Sequence, residues 1–375
     1  MIDAWGQVEH RRREHRRGKR RRGKHRRRRS RGGLWSAVKL RDGLTLVELL
    51  VVIAILAILT SATIGALRPA VAGQQVRESA RLLQSTLSAA QSRAAEIGRP
   101  AGVLFEPLPD GLASLTLVPV ESPPPFGGFA TGDRIRFTAV NASGALATVT
   151  VSFVNAAGQP LTYGLSTLLD SGVITVGDRL QLNYRGNRFL ITAASGSTLT
   201  LRSEAVSPRW PSTSVAYPFL FHRRPRPSAD APVTLPGSAV VDLTLSGGSN
   251  SGSNLDVFQP NTGTPITLTF LPSGRLDRIY HPGSPLTVAG EKFSAPVHFL
   301  IGRSDQVDDV APLTDSQNLF DLNNLWVSVS AETGMIGTFE MADVANDPNV
   351  GSGATLNDLL ESARRFVRTG IAMGK

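Results

Sequence analysis

The first feature of the hydrophobic pattern is an apolar run near the N-terminus. The eleven residues from Leu49 to Leu59 carry no polar side chain, and the wider segment 44–67 contains few. A helix over that segment would be about 36 Å long, and the hydrocarbon core of a bilayer is about 30 Å thick. The run therefore predicts a transmembrane helix over residues 44–67.

An amphipathic pattern follows over residues 68–98. Apolar side chains recur there at alternating intervals of four and three residues, which is the spacing of one helical face. Gly98 and Pro100 then supply a helix stop. We expect one long helix whose second half packs its apolar face against a sheet. That face consists of Val76, Ala80, Leu83, Leu87, Ala90, Ala94 and Ile97.

From residue 99 to about residue 345 the pattern changes to short β-like runs broken by Gly, Pro, Asn and Ser. The alternation of strands and helices that builds parallel sheets is missing. The pattern therefore predicts an α+β fold, a long N-terminal helix packed on an antiparallel β-sheet. Two Pro-rich stretches, 121–129 and 222–232, have the composition of linkers.

A second amphipathic segment lies near the C-terminus, over residues 353–371. Thr355 is placed as an N-cap, Asp358 lies in the first turn, and three arginines lie toward the end, which complements a helix dipole. The segment predicts a helix. The helix could pack on the protein's own sheet, lie on a membrane or contact a neighbouring subunit. Its polar face lacks the heavy basic charge of membrane-surface helices, so packing on the protein's own sheet is the favoured arrangement and contact with a partner the alternative.

Basic charge is concentrated before the apolar run. Residues 1–43 hold 17 Lys and Arg against 4 Asp and Glu, whereas residues 44–375 hold 23 against 26. The positive-inside rule then predicts a single-pass membrane protein with its N-terminus in the cytoplasm and the bulk of the chain outside. We interpret residues 1–43 as a cytoplasmic leader that is removed; the alternative is that translation starts at Val38, which would leave a leader of six residues.

Few side chains suggest catalytic or zinc chemistry. The chain has no Cys, which excludes disulfides and thiol chemistry. The three histidines after residue 43 are His222, His281 and His298, and their spacing is not that of a zinc site. We therefore expect no enzymatic activity and no cofactor.

An acidic segment offers oxygen atoms of the kind that Ca²⁺ prefers. Its carboxylates include Asp305, Asp308 and Asp309, with Asp315 and Asp321 further along. The Gly and Glu positions of an EF-hand loop are missing. A solvated acidic loop is the favoured interpretation, and calcium binding is the alternative.

One carboxylate, Glu48, stands at the front of the apolar run, where a charge is unfavourable unless it has a partner. The stretch Gly43-Leu44-Thr45-Leu46-Val47-Glu48 resembles the signal of type IV prepilins and type II secretion pseudopilins. The resemblance implies that prepilin peptidase cuts after Gly43 and methylates Leu44. It also implies that Glu48 pairs with the N-terminal amine of another subunit during assembly. Leu44 stands where that family usually has Phe.

Three further stretches resemble the GspH/FimT-type minor pseudopilins: a helix-to-strand region at 80–105, a late hairpin at 266–279 and a final hairpin at 326–340. The resemblance implies a pilin-like fold and a structural role in a type IV pilus-like or type II secretion filament. Its implied partners are prepilin peptidase, other pilin or pseudopilin subunits and inner-membrane lipid. The middle region exceeds its equivalent in that family, so we expect an enlarged β insertion over about 120–265.

Two other functions stay open. A secretory signal peptide cleaved near residues 70–72 would leave an extracellular binding protein. N-terminal sequencing distinguishes that protein from a prepilin cut after Gly43. The arginines of HRRPRPS (222–228) and RGNR (185–188) suggest a DNA-uptake minor pilin. We interpret these arginines as solvated surface and do not expect nucleic acid as a partner.

Overall fold

The structure is a computed structural model that describes residues 45–205, 208–213, 215–248, 256–257, 265–280, 292, 295–307, 317–348, 350–351 and 354–372. These residues form an N-terminal helix, two antiparallel sheets and two C-terminal helices. The predicted α+β fold class is confirmed at this level. The chain divides into two compact units between Thr60 and Ser61.

The N-terminal helix α1 (Leu46–Ile97) begins directly after Thr45. Its residues up to Thr60 belong to the first unit, and the rest belong to the second. Within the described part of the chain, no helix combines the length and the hydropathy that a membrane crossing requires. The transmembrane helix over 44–67 stays a prediction.

The part of α1 in the second unit carries its apolar face into a core. Six of the seven expected positions are buried, and the seventh, Ile97, is half-buried. These side chains form one cluster with sheet residues such as Phe105 and Phe270. The helix ends where Gly98 takes a φ of 65°, a conformation that glycine adopts without strain.

The strands that follow are short and separated by tight turns. In chain order they are β1 (Ala101–Pro107), β2 (Ala113–Glu121), β3 (Arg134–Ser143), β4 (Leu146–Val154), β5 (Arg179–Leu182), β6 (Arg188–Ser195), β7 (Thr198–Ser203), β8 (Ala216–Tyr217), β9 (Phe219–His222), β10 (Arg226–Pro227), β11 (Val233–Thr234), β12 (Ala239–Gly248), β13 (Asp256–Val257), β14 (Ile266–Phe270), β15 (Leu276–Tyr280), β16 (Val297–Arg303), β17 (Leu325–Val329) and β18 (Ile336–Glu340).

Eleven of these described strands form the main sheet. Its central path has the order β15-β14-β1-β2-β12-β16-β17-β18, while β10 and β11 pair with β2, and β13 pairs with β12. The pairings are antiparallel, for example Val103 opposite Leu268. One face packs on α1, and the stacked rings of Phe105 and Phe299, 4.6 Å apart, lie in this core.

The other seven described strands form a second sheet with the order β8-β3-β4-β7-β6-β5-β9. It has a core of its own, which includes Phe137, Phe153 and the short helix α2 (Leu165–Asp170). All seven strands lie between β2 and β10. We call this segment, residues 122–225, the β-module.

The β-module is shorter than the expected insertion over about 120–265. Strands β10 to β13 fall inside that range, yet they pair with the main sheet. β12 is an interior strand of that sheet, and nine of its ten residues are buried. The expected bounds came from the length by which this region exceeds its equivalent in the resembled family, and the strand pattern could not correct them, because a period of two identifies a strand but not the sheet it joins.

Two short helices stand where one C-terminal helix was expected over 353–371. They are α3 (Leu356–Ala363) and α4 (Arg365–Ala372), separated at Arg364. The expected N-cap is confirmed. The Thr355 hydroxyl accepts from the Asp358 N–H, and the Asp358 carboxylate accepts from the Thr355 N–H at 2.8 Å, which is a capping box.

Both C-terminal helices pack on the main sheet. Leu360 and Val367 join a buried cluster around Trp326 of β17. At the break between the helices, the Arg364 guanidinium lies 4.8 Å from the ring centroid of Trp326 and donates to the Leu245 carbonyl oxygen at 2.8 Å. Among the described residues, these contacts agree with the favoured expectation of self-packing.

Candidate functional site

The first turn of α1 holds Glu48 in a reciprocal arrangement with Thr45. The Thr45 backbone N–H and hydroxyl both donate to Glu48 Oε2 at 3.1 Å, and the Glu48 N–H donates to Thr45 Oγ1 at 3.2 Å. This is a capping box, which satisfies N–H groups that the helix itself leaves without partners. The Glu48 carboxylate is therefore held at the N-terminal end of the helix.

Helix electrostatics favour a carboxylate at this position. The N-terminal end of an α-helix carries a partial positive charge, and an acidic side chain in the first turn gains about 0.3–1 kcal/mol from it. The capping box and the dipole thus give Glu48 a local role besides the expected one in assembly. Sequence reasoning overlooked Thr45, although Thr45-Leu46-Val47-Glu48 has the T-x-x-E form of a capping box ahead of an apolar run.

The start of α1 exposes a large apolar surface. Eleven Leu, Ile and Val side chains between Leu46 and Leu59 have exposed fractions from 47% to 79%. Full burial of one such side chain stabilises by about 1.5–3 kcal/mol. Exposed apolar area of this extent marks an interaction surface, and apolar side chains on every side of a helix suit a membrane or a helix bundle.

The expected processing residues Gly43 and Leu44 lie outside the described residues. In the sequence, Leu44 directly precedes Thr45. A new N-terminus at Leu44 would therefore stand next to the capping box.

The acidic segment gives little support to a metal site. Arg303 Nε and Nη2 donate to the two carboxylate oxygens of Asp305. Asp308 and Asp309 lie outside the described residues. In the described ranges, no group of three or more His, Asp or Glu side chains is arranged to hold a metal ion. Calcium binding stays the alternative to a solvated loop.

A buried network ties the end of this segment to the main sheet. Asn318 Nδ2 donates to Asp242 Oδ2 at 2.8 Å, and Asn318 Oδ1 accepts from the Arg303 N–H at 2.8 Å. Burial raises the pKa of Asp242, against the effect of its hydrogen bonds from Thr244 and Asn318. These contacts link β12 to β16, so we read the network as structural.

The two described histidines lie in different sheets. His222 Nε2 is 2.8 Å from Gln181 Oε1 in the second sheet, and His298 Nδ1 is 2.7 Å from Ser328 Oγ in the main sheet. Burial, with the nearby charges of Arg188 and Arg179, lowers the pKa of His222 to about 4. The third histidine, His281, lies outside the described residues.

The two arginine-rich stretches are held differently. Within 222–228, Arg223 and Arg226 each donate to a backbone carbonyl oxygen of the β-module, at 2.7 and 2.6 Å. By contrast, Arg185 and Arg188 are exposed at the turn between β5 and β6. Only the second stretch therefore presents its arginines fully to solvent.

Residues 39–64 match the family model of the prokaryotic N-terminal methylation motif. No curated protein and no solved structure matches the chain. The motif is the substrate signal of prepilin peptidase, and pilins that carry it are processed at the membrane and assemble with other pilin subunits into extracellular filaments. The match covers 26 of the 375 residues and indicates a type IV pilin-like prepilin signal at this end of the chain.

Proposed function

We propose that this protein is a minor pilin or pseudopilin of the GspH/FimT type, assembled through its N-terminal helix into a type IV pilus-like or type II secretion filament. One observation carries the proposal. Glu48 stands at the start of an exposed apolar helix, inside the methylation motif. We assign cleavage to the bond after Gly43, methylation to the new amine of Leu44, and charge compensation during assembly to Glu48.

Assembly would transfer the apolar part of α1 from lipid into a bundle of helices. An unpaired charge is strongly unfavourable in that low-dielectric setting, so the Glu48 carboxylate and a protonated N-terminal amine would stabilise each other. Thr45 is a positioning residue in this scheme. Its two hydrogen bonds hold the carboxylate at the helix start, which lowers the entropy lost when the amine of a neighbouring subunit arrives.

The proposed topology follows from the charge distribution. The apolar part of α1 lies in the inner membrane, residues 1–43 lie in the cytoplasm before removal, and the folded domain lies in the periplasm. After assembly the domain lies on the outside of an extracellular filament. Its contribution is packing, and no reaction is assigned to it.

The order of elements after α1 supports the GspH/FimT subtype. The helix ends before Gly98-Arg99-Pro100 and leads directly into β1. The hairpin of β14 and β15 and the hairpin of β17 and β18 occur at the two stretches that resemble that family. The β-module is an addition to this plan.

Mass spectrometry of the membrane-extracted protein tests the processing step. We expect a mature chain that begins with N-methylated Leu44. Gly43→Leu is the matched control and should retain residues 1–43. A mature N-terminus at Gly73 would indicate a secreted protein with a signal peptide and would overturn the proposal.

Recovery in sheared filaments tests the assembly step separately. Glu48→Val should leave insertion and cleavage intact, because the segment becomes more apolar, yet reduce incorporation into filaments. Glu48→Gln removes the charge but keeps the shape, so it should also assemble poorly. Thr45→Ser keeps the capping box, so its recovery in filaments should equal that of the parent. Thr45→Val loses the capping box but keeps the charge of Glu48, so its recovery should lie between those of the parent and of Glu48→Val. Parental recovery of Glu48→Val would contradict the pairing role.

A further inference from the structure

Three aromatic rings form a contiguous group at the surface of the β-module. The Phe129 ring packs edge-on against Phe126, with centroids 5.1 Å apart, and against Tyr163, at 5.0 Å. Phe126 and Tyr163 are half-buried, whereas Phe129 has an exposed fraction of 69%. Among the described residues after residue 71, no other large apolar side chain is as exposed. We call these three residues the aromatic patch.

One buried carboxylate fixes the conformation of the aromatic patch. Asp133 Oδ2 accepts from the backbone N–H groups of Phe129 and Ala130, at 2.9 and 3.1 Å. The same oxygen accepts from the Tyr163 hydroxyl at 2.6 Å. Gly128 has a φ of 106°, and a Cβ there would lie 2.5 Å from the Cβ of Asp133. The exposed ring is therefore held in place before any partner arrives, which lowers the entropy lost on binding.

The aromatic patch lies in an uncharged part of a basic module. The β-module carries nine Arg, no Lys and four acidic residues. Eight of the nine arginines are at least partly exposed, whereas two of the four acids, Asp133 and Asp178, are buried. The two stretches that supply the rings, 122–132 and 154–169, contain no charged side chain. No exposed acid therefore interrupts either stretch.

Two arginines lie at the edge of this uncharged region. Arg223 Nε and Nη2 donate to the Pro124 carbonyl oxygen at 3.0 and 2.7 Å. A Cβ placed on Gly158 would lie 3.4 Å from Arg136 Nη2. Pro124 belongs to the first uncharged stretch and Gly158 to the second, so each stretch has a guanidinium group beside it. An exposed apolar ring with cationic groups at its edge suits a surface that is anionic outside and apolar inside.

We propose that the aromatic patch, together with Arg136 and Arg223, docks the β-module on the surface of an anionic phospholipid membrane. The Phe129 ring would enter the boundary between headgroups and acyl chains, and the two guanidinium groups would pair with lipid phosphates. The proposal rests on the topology given above, because the anchor in α1 keeps the module next to a membrane. The contact belongs to the subunit before assembly and requires no second copy.

The size of the aromatic patch favours lipid over a protein partner. A stable protein interface buries about 800 Å² on each partner, which is far more than one projecting ring with its two neighbours offers. A membrane contact can be this small, because an anchored chain holds the module at a high effective concentration near the lipid.

Fluorescence of the processed full chain in vesicles tests the contact. The chain has no Cys, so Thr131→Cys provides a single site for an environment-sensitive label, two residues from Phe129. Ser143→Cys carries the control label at the other end of β3, a ten-residue strand that spans about 30 Å. In vesicles of phosphatidylethanolamine and phosphatidylglycerol, spin-labelled lipid should quench the label at 131 at least about twofold more than the label at 143. Equal quenching at both positions would overturn the proposal.

Ring variants test the role of Phe129. Phe129→Ser should reduce quenching at 131 to the level at 143, whereas Phe129→Trp keeps a ring and should retain the parental quenching. Leu146→Ser removes another exposed apolar side chain, at the start of β4, and should change nothing. The melting temperature of Phe129→Ser should match that of the parent, because the ring is mostly exposed. Parental quenching in Phe129→Ser would contradict the proposal.

Lipid charge and arginine charge test the electrostatic part. Vesicles of phosphatidylcholine alone should lower the quenching at 131 by about twofold or more, because they carry no net negative charge. Arg136→Glu should lower it similarly in the anionic vesicles. Arg202→Glu is the control, since Arg202 is exposed and lies opposite Leu146, at the far end of the strands. Equal losses for the two variants would mean that net charge, and not this patch, attracts the membrane.

Carbonate extraction distinguishes this proposal from the one on which it rests. A chain that stays in the membrane after an alkaline carbonate wash, but whose label at 131 is not quenched, would overturn the docking proposal alone. A response of that label only after other pilin subunits are added would assign the patch to a protein partner, which also overturns the docking proposal alone. Release of the chain by carbonate would overturn both.

Discussion

The side-chain amide of Gln91 donates a hydrogen bond to the carbonyl oxygen of Gly274, 2.6 Å away. The same nitrogen lies 3.1 Å from the carbonyl oxygen of Gly334. Gly274 lies in the turn between β14 and β15, and Gly334 in the turn between β17 and β18, the hairpins at opposite ends of the main sheet. The sheet therefore curls around the second-unit part of α1 until both edge hairpins meet at one helix side chain.

Replacing Gln91 should weaken the main sheet at both edges. Gln91→Leu leaves two carbonyl oxygens without their donor in a partly buried site, and we expect a loss of about 1–3 kcal/mol of unfolding free energy. Urea denaturation of a 74–375 fragment, which lacks the apolar run and which we expect to fold as a monomer, measures it. Gln84→Leu on the same helix is the control, because Gln84 makes an exposed hydrogen bond with Thr338 at 3.0 Å. Equal losses of unfolding free energy for both variants would contradict the role of Gln91 in joining the two hairpins.

Gly334 should tolerate no side chain. Its φ is 71°, and a Cβ there would lie 1.8 Å from the Gly274 carbonyl oxygen. Gly144 has a similar φ of 58° with nothing within 4 Å, so Gly144→Ala should cost only the backbone strain, about 1–2 kcal/mol. Gly334→Ala should cost clearly more in the same urea measurement, and an equal cost would mean that the two turns do not touch.

The apolar face of α1 should not accept a charge. Leu87 is fully buried, so Leu87→Asp places an unpaired carboxylate in the core at a cost of several kcal/mol, out of a typical total stability of about 5–15 kcal/mol. Ala95→Asp, on the exposed side of the same helix, is the control. Thermal melting of the fragment should separate the two variants widely, and an unchanged melt for Leu87→Asp would mean that this face is not the core face.

Removal of the C-terminal helices should destabilise the folded domain. Deletion of residues 353–375 uncovers the apolar cluster around Trp326, and we expect the melting temperature to fall by several degrees. A finer comparison uses Leu360→Ser, at a fully buried position, and Phe366→Ser, where the exposed fraction is 52%. Only the first should lower the melt. If the deletion left the melting temperature unchanged but abolished filament assembly, these helices would instead bind a partner subunit.

Acidification should destabilise the protein through His222. Its pKa is about 4 in the folded chain against an ordinary 6.5, so the unfolded chain takes up the proton first. The stability contribution is complete above pH 6.5 and is lost as the pH falls from 6.5 toward 4. Urea midpoints across this range should decline less steeply for His222→Gln. Identical slopes would show that other groups cause the decline.

Local patterns determined much of this protein from the sequence alone. The apolar run, the Gly43-to-Glu48 motif and the Thr355 cap depend on residues within a few positions of one another, so their meaning is readable without a fold. The apolar stripe from Val76 to Ile97 depends only on the helical period. Thr45 belongs to the same class, because its T-x-x-E pattern was present in the sequence.

Tertiary structure decided what depends on residues distant in sequence. β12 alternates like any strand, and only its pairing with β2 and β16 assigns it to the main sheet. The helix break at Arg364 coincides with contacts to Leu245 and Trp326, and the role of Gln91 requires two turns from opposite sheet edges. The hydrophobic period of a segment determines its local conformation. The element it packs against depends on burial between residues distant in sequence, which a short stretch of sequence does not reveal.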